Sequence, residues 1–342
     1  MGINPALPRY QAMLLNLQGN ILKSHGRDNV CLLLLQFTAD VVAVRGWMKR
    51  WAEAGGVTSA RAQFDDTLQL KQGGGSGAPF GNFFLSAAGY QALEVASADL
   101  LRAFPEHLGR VRAPFTAGME AAGPALGDPP AAAWDDAYRG QKVHAMVLLA
   151  DADGARLEQT RAGVERDLAG IARVLARELG TVRRSGNQAT EPFGFADGLS
   201  QPLFLGQDLA DEAGNGGIAS WNPAAPLDLA LLEDPFAAPL QDCYGSFLVL
   251  RKLEQDVKGF TVRVAQLASQ ATGGDQALAG ALVVGRFADG TPVLLSGTPL
   301  GGGANNFEYG ADPEGAKCPV QAHIRKTNPR GGAVAAGIAT DL

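Results

Sequence analysis

Charge is scarce in this chain: Asp, Glu, Lys and Arg make up only 19% of 342 residues, and 29 Lys+Arg against 35 Asp+Glu leave a net charge of −6. Such a surface offers no general basic field to neutralise a phosphate backbone, so nucleic acid is excluded as an expected partner. Long apolar runs are lacking as well. CLLLLQF and AMVLLA are only strand-length, well short of the roughly eighteen residues a membrane helix needs. The opening MGINPALPRYQAMLLNLQGN shows no basic stretch followed by an apolar one, so a cytoplasmic protein without a secretory signal or membrane association is expected. Cysteine is rare: Cys31, Cys243 and Cys318 are odd in number and far apart, which fits neither a disulfide framework nor a zinc site with CxxC spacing. No GxSxG or HExxH motif occurs, and GADPEGAK at 310–317 lacks the Gly-Lys-Ser/Thr end of a phosphate loop. Cys318, beside Pro319, reads as structural rather than nucleophilic.

What the chain does have is apolar and glycine-rich. Hydrophobic residues reach 46%, with 44 Gly and 19 Pro, the composition of a globular protein with many turns. The length suits two domains. Residues 30–37 read as a strand, and Asp40 precedes Val44, Trp47, Met48 and Trp51 at helical spacing, with Gly55-Gly56 as a stop. A weaker strand near 59–70, the turn-rich GGGSGAPFG at 73–81, and a strand then short helix in NFFLSAAGYQALEVA follow. Residues 114–140, rich in Ala, Gly and Pro, are the candidate linker. Beyond it VHAMVLLAD repeats the strand-then-Asp pattern, and a helix burying Leu157, Val164, Leu168, Ile171, Leu175 and Leu179 is expected to end at Gly180. YGSFLVLRKLEQDVKGF reads as strand then helix, and ALVVGRFADGTPVLL as strand-turn-strand. The expected fold class is α+β, with duplicated ferredoxin-like units and mainly antiparallel sheets, an N-terminal half over 1–135 and a C-terminal half over 136–342.

Two loop-like segments, 191–204 and 305–330, break this regularity and gather chemically capable residues. Asp197, in Gly194-Phe195-Ala196-Asp197-Gly198, is the one acid of an apolar, glycine-bracketed stretch; it suits a general acid/base near a planar ligand, or simply an Asp-Gly turn. Of four histidines, His144 lies in an apolar strand and reads as a core residue, while His25 and His107 read as solvated. His323, followed by Arg325, Lys326 and Arg330, suits either an iron ligand under a haem whose propionates pair with Arg, or a basic surface loop.

EPFGFADGLSQP and ADPEGAKCPVQAHIRKTNPR, in this order, resemble the dye-decolorizing (DyP-type) haem peroxidases, whose GxxDG loop is matched by Gly194 to Gly198. LQGNILKSHGRD, FFLSAAGYQAL, YGSFLVLRKLEQDV and VGRFADGTP are also similar to that family, so the likeness spans nearly the whole chain. The resemblance implies one haem b in the C-terminal half, with His323 as proximal iron ligand and metal-binding residue and Asp197 as distal acid/base. It places Gly194, Phe195, Ala196, Gly198 and Arg325 against the cofactor. It further implies reduction of hydrogen peroxide with oxidation of dyes, phenols or similar small reductants. In that scheme Asp197 takes a proton from one peroxide oxygen and returns it to the other. An unperturbed aspartate titrates at about 3.9, so it stays a base where a histidine would be protonated, and an acidic activity optimum is expected. Trp134, Trp221 and the tyrosines are candidate surface electron relays, whereas Trp47 and Trp51 read as core.

The family also carries a distal arginine in a strand beyond the proximal histidine. Here no arginine follows Arg330, and the chain closes on GGAVAAGIATDL. Arg330 belongs to the HIRKTNPR segment and does not take that role. Truncation before that strand is the expectation, leaving the second ferredoxin-like unit incomplete, with an exposed sheet edge that favours self-association into a homo-oligomer. The alternative from another class is a non-catalytic haem or porphyrin-binding protein.

Overall fold

The apolar run at 30–37 forms β1 (Asn29–Phe37), in a computed structural model that describes residues 2–73, 77–96, 99, 109–234, 242–328 and 330. Ahead of it α1 (Gln11–Asn16) buries Met13 and Leu14. After it come α2 (Val41–Glu53), α3 (Ala60–Lys71), β2 (Phe80–Leu85) and α4 (Ala87–Ala92). Two helices, α5 (Gly109–Ala117) and α6 (Met119–Leu126), lie where a linker was expected. Then β3 (Ala145–Asp151), α7 (Gly154–Asp167) and β4 (Ala172–Thr181) complete one unit.

The four strands form one antiparallel sheet in the order β2-β3-β1-β4. With helices between β1 and β2 and between β3 and β4, this is the split βαβ arrangement of a ferredoxin-like fold. Its two faces explain why β1 is a continuous apolar run rather than an alternating one. Cys31, Leu33, Leu35 and Phe37 pack with Val147, Leu149, Val44, Trp47, Leu157 and Val164, while Val30 and Leu32 pack with Phe80, Leu148 and Ala150 on the other side. Helix α2 starts where expected, because the Asp40 side chain accepts the Ala43 N–H as an N-cap.

Several expectations are corrected. Residues 60–71 are helical, not a strand: the Ser59 hydroxyl caps the Ala62 N–H, and Phe64 turns into the core. The helix expected to run to Gly180 stops near Leu168, because Gly170 takes φ +77°. Residues 172–181 then form edge strand β4, with Leu179 at 74% exposure. Chain division also differs from a boundary at 135/136. One unit is Pro5–Thr181 with Leu227–Lys252, since β3 and β4 pair with β1; the other takes Met1–Asn4, Val182–Pro226 and Leu253–Leu342.

His144 is half-buried and its Nδ1 accepts the Phe37 N–H at 3.0 Å, as a core histidine should; burial and then Lys142 push its pKa down. His25 is not a solvated turn residue. Its ring lies 5.3 Å from Phe80, its Nδ1 accepts the Arg27 N–H, and burial, then Arg27, lowers its pKa. His107 and the closing GGAVAAGIATDL lie outside the described residues.

The second unit is built from short pieces. Strands β5 (Arg183–Ser185) and β6 (Gln188–Thr190) form a hairpin, followed by α8 (Gly206–Asn215), α9 (Val257–Ala271), α10 (Gln276–Val284) and α11 (His323–Thr327). Asp256 caps α9 and Asp275 caps α10, and the two helices meet over Val264, Ala268 and Ala279. Residues 281–284 therefore end a helix rather than form a strand. Back in the first unit, whose Leu227–Lys252 stretch holds the YGSFLVL segment, only Tyr244–Gly245 of that segment pair in a sheet, with Leu232–Glu233. A core of Ala281, Phe287, Val293, Phe307, Tyr309, Cys318, Ala322 and Ile324 underlies α11. Among the described residues, no helix is long and apolar enough to cross a membrane.

Candidate functional site

Hairpin β5-β6 feeds directly into the segment 191–200. Glu191 organises its first turn: one carboxylate oxygen accepts the Phe193 N–H and the other the Phe195 N–H, both at 2.8 Å. Gly194 turns the chain at φ +98°, a left-handed conformation that a side chain would oppose. Beyond it the Ala196 N–H donates to Ala288 O and the Asp197 N–H to Ala189 O, each at 2.9 Å. The backbone at Asp197 is thus fixed on both sides while its side chain is exposed, not partly desolvated as expected. Its Oδ1 accepts the Gly198 N–H at 2.7 Å, which leaves Oδ2 open to a ligand. At Gly194 and Gly198 nothing lies within 4 Å of where a Cβ would stand, so the backbone there is open to close approach.

Phe195 belongs to an aromatic cluster. It meets Phe260 edge-on at 6.0 Å, Phe193 stacks on Phe260 at 4.5 Å, and all three line a cavity of about 460 Å³ with Val264, Gly280 and Phe287. That volume and aromatic lining are typical of small-molecule sites. Gly194, Ala196, Asp197, Gly198, His323 and Arg325 are not part of this lining.

His323 opens α11, with its ring exposed. Its neighbours anchor it: Ala322 and Ile324 are buried in the core, and the buried Tyr309 hydroxyl donates to Ile324 O at 3.0 Å. Arg325 is a correction. Its guanidinium donates to Cys318 O, Asp312 O and Asp312 Oδ2 at 2.6–2.8 Å, stacks over Tyr309, and is 5% exposed. Such a group holds the 312–325 turn together and is not available to a propionate. Burial pushes the Asp312 carboxyl up, but the Cys318 and Lys317 amides and the Arg325 charge outweigh it and hold it below the usual range.

The strongest tie between the two segments escaped the sequence. Ser200, three residues past Asp197, accepts through Oγ from Arg286 Nη2 at 2.9 Å and Arg330 Nη2 at 2.7 Å. Its hydroxyl lies 3.0 Å from Asn305 Oδ1, which also accepts from both guanidinium groups. Asn305 in turn donates to Glu212 at 2.6 Å. Arg286 and Arg330 were visible in VGRFADGTP and NPR, yet nothing local marked them as partners, because their meeting point lies at Ser200 and Asn305.

The donor set bears on what this site can hold. No group of three or more His, Cys, Asp or Glu side chains that could bind a metal exists among the described residues. A single exposed imidazole suffices only for a metal that brings its own equatorial ligands, as iron in a porphyrin does. His323 and the open Gly194–Gly198 backbone fit such a group.

No family model matches the chain. Among characterised proteins it is 38% identical over 329 residues to the multifunctional dye peroxidase DyP2 of Amycolatopsis sp., covering 93% of this chain and 67% of that protein. It is 31% identical over 221 residues to the dye-decolorizing peroxidase AauDyP1 of Auricularia auricula-judae, of which it covers 41%. The crystal structure of the DyP-type peroxidase of Anabaena sp. superposes with a TM-score of 0.89 at 42% identity, over 97% of this chain and 71% of that one. For the DyP2 structure the values are 0.84, 36%, 96% and 69%. The chain thus spans about two thirds of the bacterial relatives and less than half of the fungal one.

Proposed function

The chain belongs to the dye-decolorizing peroxidases, haem oxidoreductases that act on peroxide, and from that premise we propose that it binds haem b through His323 and uses Asp197 as its acid/base. The observation that carries this reading is the exposed pair itself: a lone imidazole on an anchored helix, and a carboxylate on a glycine-bracketed loop with a fixed backbone. Haem held by His323 would supply the redox chemistry toward hydrogen peroxide.

The protein's own part is proton handling and positioning. Asp197 Oδ2, left open by the Gly198 N–H bond to Oδ1, takes the proton from one peroxide oxygen and returns it to the other, so that water can leave. Gly194 and Gly198 let the loop lie close to a flat ligand, and Phe195 braces the loop on Phe260. The electrons come from a small reductant such as a phenol or dye. Cys31, Cys243 and Cys318 are not joined in disulfides, which fits a reducing compartment, and the cytoplasm is the location proposed.

A haem titration followed by peroxide-dependent dye oxidation tests the assignment. His323→Ala should abolish the Soret shift on haem addition. Asp197→Asn should take up haem normally yet lose about 10²–10⁴ in kcat/KM for peroxide, the usual weight of a general acid/base. Undiminished turnover in Asp197→Asn would remove Asp197 from the mechanism.

A further inference from the structure

Arg286 and Arg330 are 4% and 5% exposed, and neither guanidinium touches a carboxylate. Two buried cations sharing neutral acceptors are expensive to keep, since desolvation is offset only by hydrogen bonds and by Glu212 at one remove through Asn305. Such an arrangement calls for a role beyond holding a core together. Ser200 adds a second anomaly: it is a non-glycine residue at φ +59°, a conformation that persists only where surrounding contacts enforce it.

We propose that Ser200 is a positioning residue for the acid/base loop, clamped by Arg286, Arg330 and Asn305 so that the loop carrying Asp197 is held in place against the segment that follows His323. The proposal rests on the reading of Asp197 given above. The geometry is specific. The Ser200 hydroxyl accepts from one guanidinium on each side and has Asn305 Oδ1 at 3.0 Å to receive its own proton, so its rotation is stopped. Arg330 cannot drift: Nη1 donates to Asn305 O and Phe307 O at 2.8 and 2.9 Å, and its plane lies between the Trp221 and Phe307 rings at 3.7 and 3.9 Å. Arg286 reaches Gly290 O at 2.9 Å, and Gly290 lies against Ala196, just before Asp197, and Leu199, two residues after it. Asn328 Nδ2 reaches Ser200 O as well. The loop is therefore gripped on both sides of its acid, and Arg330 comes from the stretch that follows the proposed iron ligand. A planar fork sandwiched by rings is something lysine cannot imitate.

The test compares Ser200→Ala and Arg330→Lys with the parent chain. Ala at 200 must adopt the same strained backbone without the hydroxyl; Lys at 330 keeps the charge without the fork. In the haem-free protein, hydrogen exchange of the Ala196 and Asp197 amides should accelerate by about tenfold or more, while the amides of α10 keep their parent rates. In the haem-loaded protein, kcat/KM for peroxide should fall by about 10²-fold, the usual penalty for an ångström of misplacement, with KM for the dye unchanged. Parent exchange rates at Ala196 and Asp197 in both variants would overturn the proposal. If either variant fails to fold, the other decides, and Arg286→Lys serves as a third. Failure of the functional reading is separable: were Asp197→Asn fully active, the loop could still loosen in Ser200→Ala.

Discussion

Arg325 and Arg330 stand five positions apart in one segment and are used in opposite ways. Arg325 is matched to a carboxylate: its 2.7 Å pair with Asp312 is buried on both sides, at 6% and 4% side-chain exposure. Arg330 has rings and neutral oxygens instead, and burial together with Arg286 pushes its guanidinium down to about 10. The first arrangement stabilises a turn, the second sets a geometry. Asp312→Ala would strand Arg325 as an unpaired buried cation, which costs about 3–5 kcal/mol in comparable pairs. The urea midpoint of the variant should shift accordingly, and an unchanged midpoint would show that backbone carbonyls alone satisfy Arg325. Asp197 belongs at this scale too, since its loss should leave the fold intact and remove only chemistry.

At the scale of elements, the junction of α10 and α11 is the most demanding. Gly285 ends α10 at φ +95°, and a Cβ there would collide with the Ile324 side chain of α11. Gly285→Ala therefore combines a left-handed backbone penalty of about 1–2 kcal/mol with overpacking of about 1–3 kcal/mol. Thermal unfolding should move down by several degrees, and haem affinity should fall because Ile324 neighbours His323. Equal melting temperatures would mean that α11 shifts freely. Elements with one clear signal were readable from residues alone: the apolar run of β1, the Asp40 cap with the Val44 and Trp47 stripe of α2, and the Ser86-capped α4. Others were not. Residues 172–181 carry Leu175 and Leu179 at a helical interval, and only the Gly170 turn makes them a strand, whose alternating burial then places Leu179 outward. The site divides in the same way. Asp197 and His323 stand out by motif, whereas Ser200, Arg286, Asn305 and Arg330 come together only through tertiary structure, so no local period announces them.

On the scale of the whole molecule, carboxylates in each unit are tuned to remain ionised in acid. In the sheet unit, the Arg177 hydrogen bond, ahead of burial, holds Glu165 low, and Asp151 is pulled down by Arg156 against its own desolvation. In the other unit burial raises Asp289 and Asp312, but amide and hydroxyl donors at Asp289, and amides with Arg325 at Asp312, lower both below the usual range. A depressed carboxyl adds stability that is complete above its unfolded value, about 3.9 for Asp and 4.3 for Glu, and is lost as pH falls through the folded value. Circular dichroism from pH 7 to 2 should therefore show the fold intact at about pH 4 and lost below it; unfolding already at pH 5 would contradict the assignment. That range leaves room for a peroxidase with an acidic optimum. The strand order has a consequence in time. Central strand β1 has no sheet partner until β3 is made, and Ala145, opposite Leu35, follows roughly 110 residues later in the chain. At about 5–20 residues per second of synthesis, the sticky VCLLLLQF segment waits roughly 5–20 seconds for its partner. β2 waits for the same strand, since it pairs with β3 alone. During birth of the chain, β3 is the step that ends this exposure, and a nascent protein stalled before it would be a client for chaperones rather than a folding intermediate.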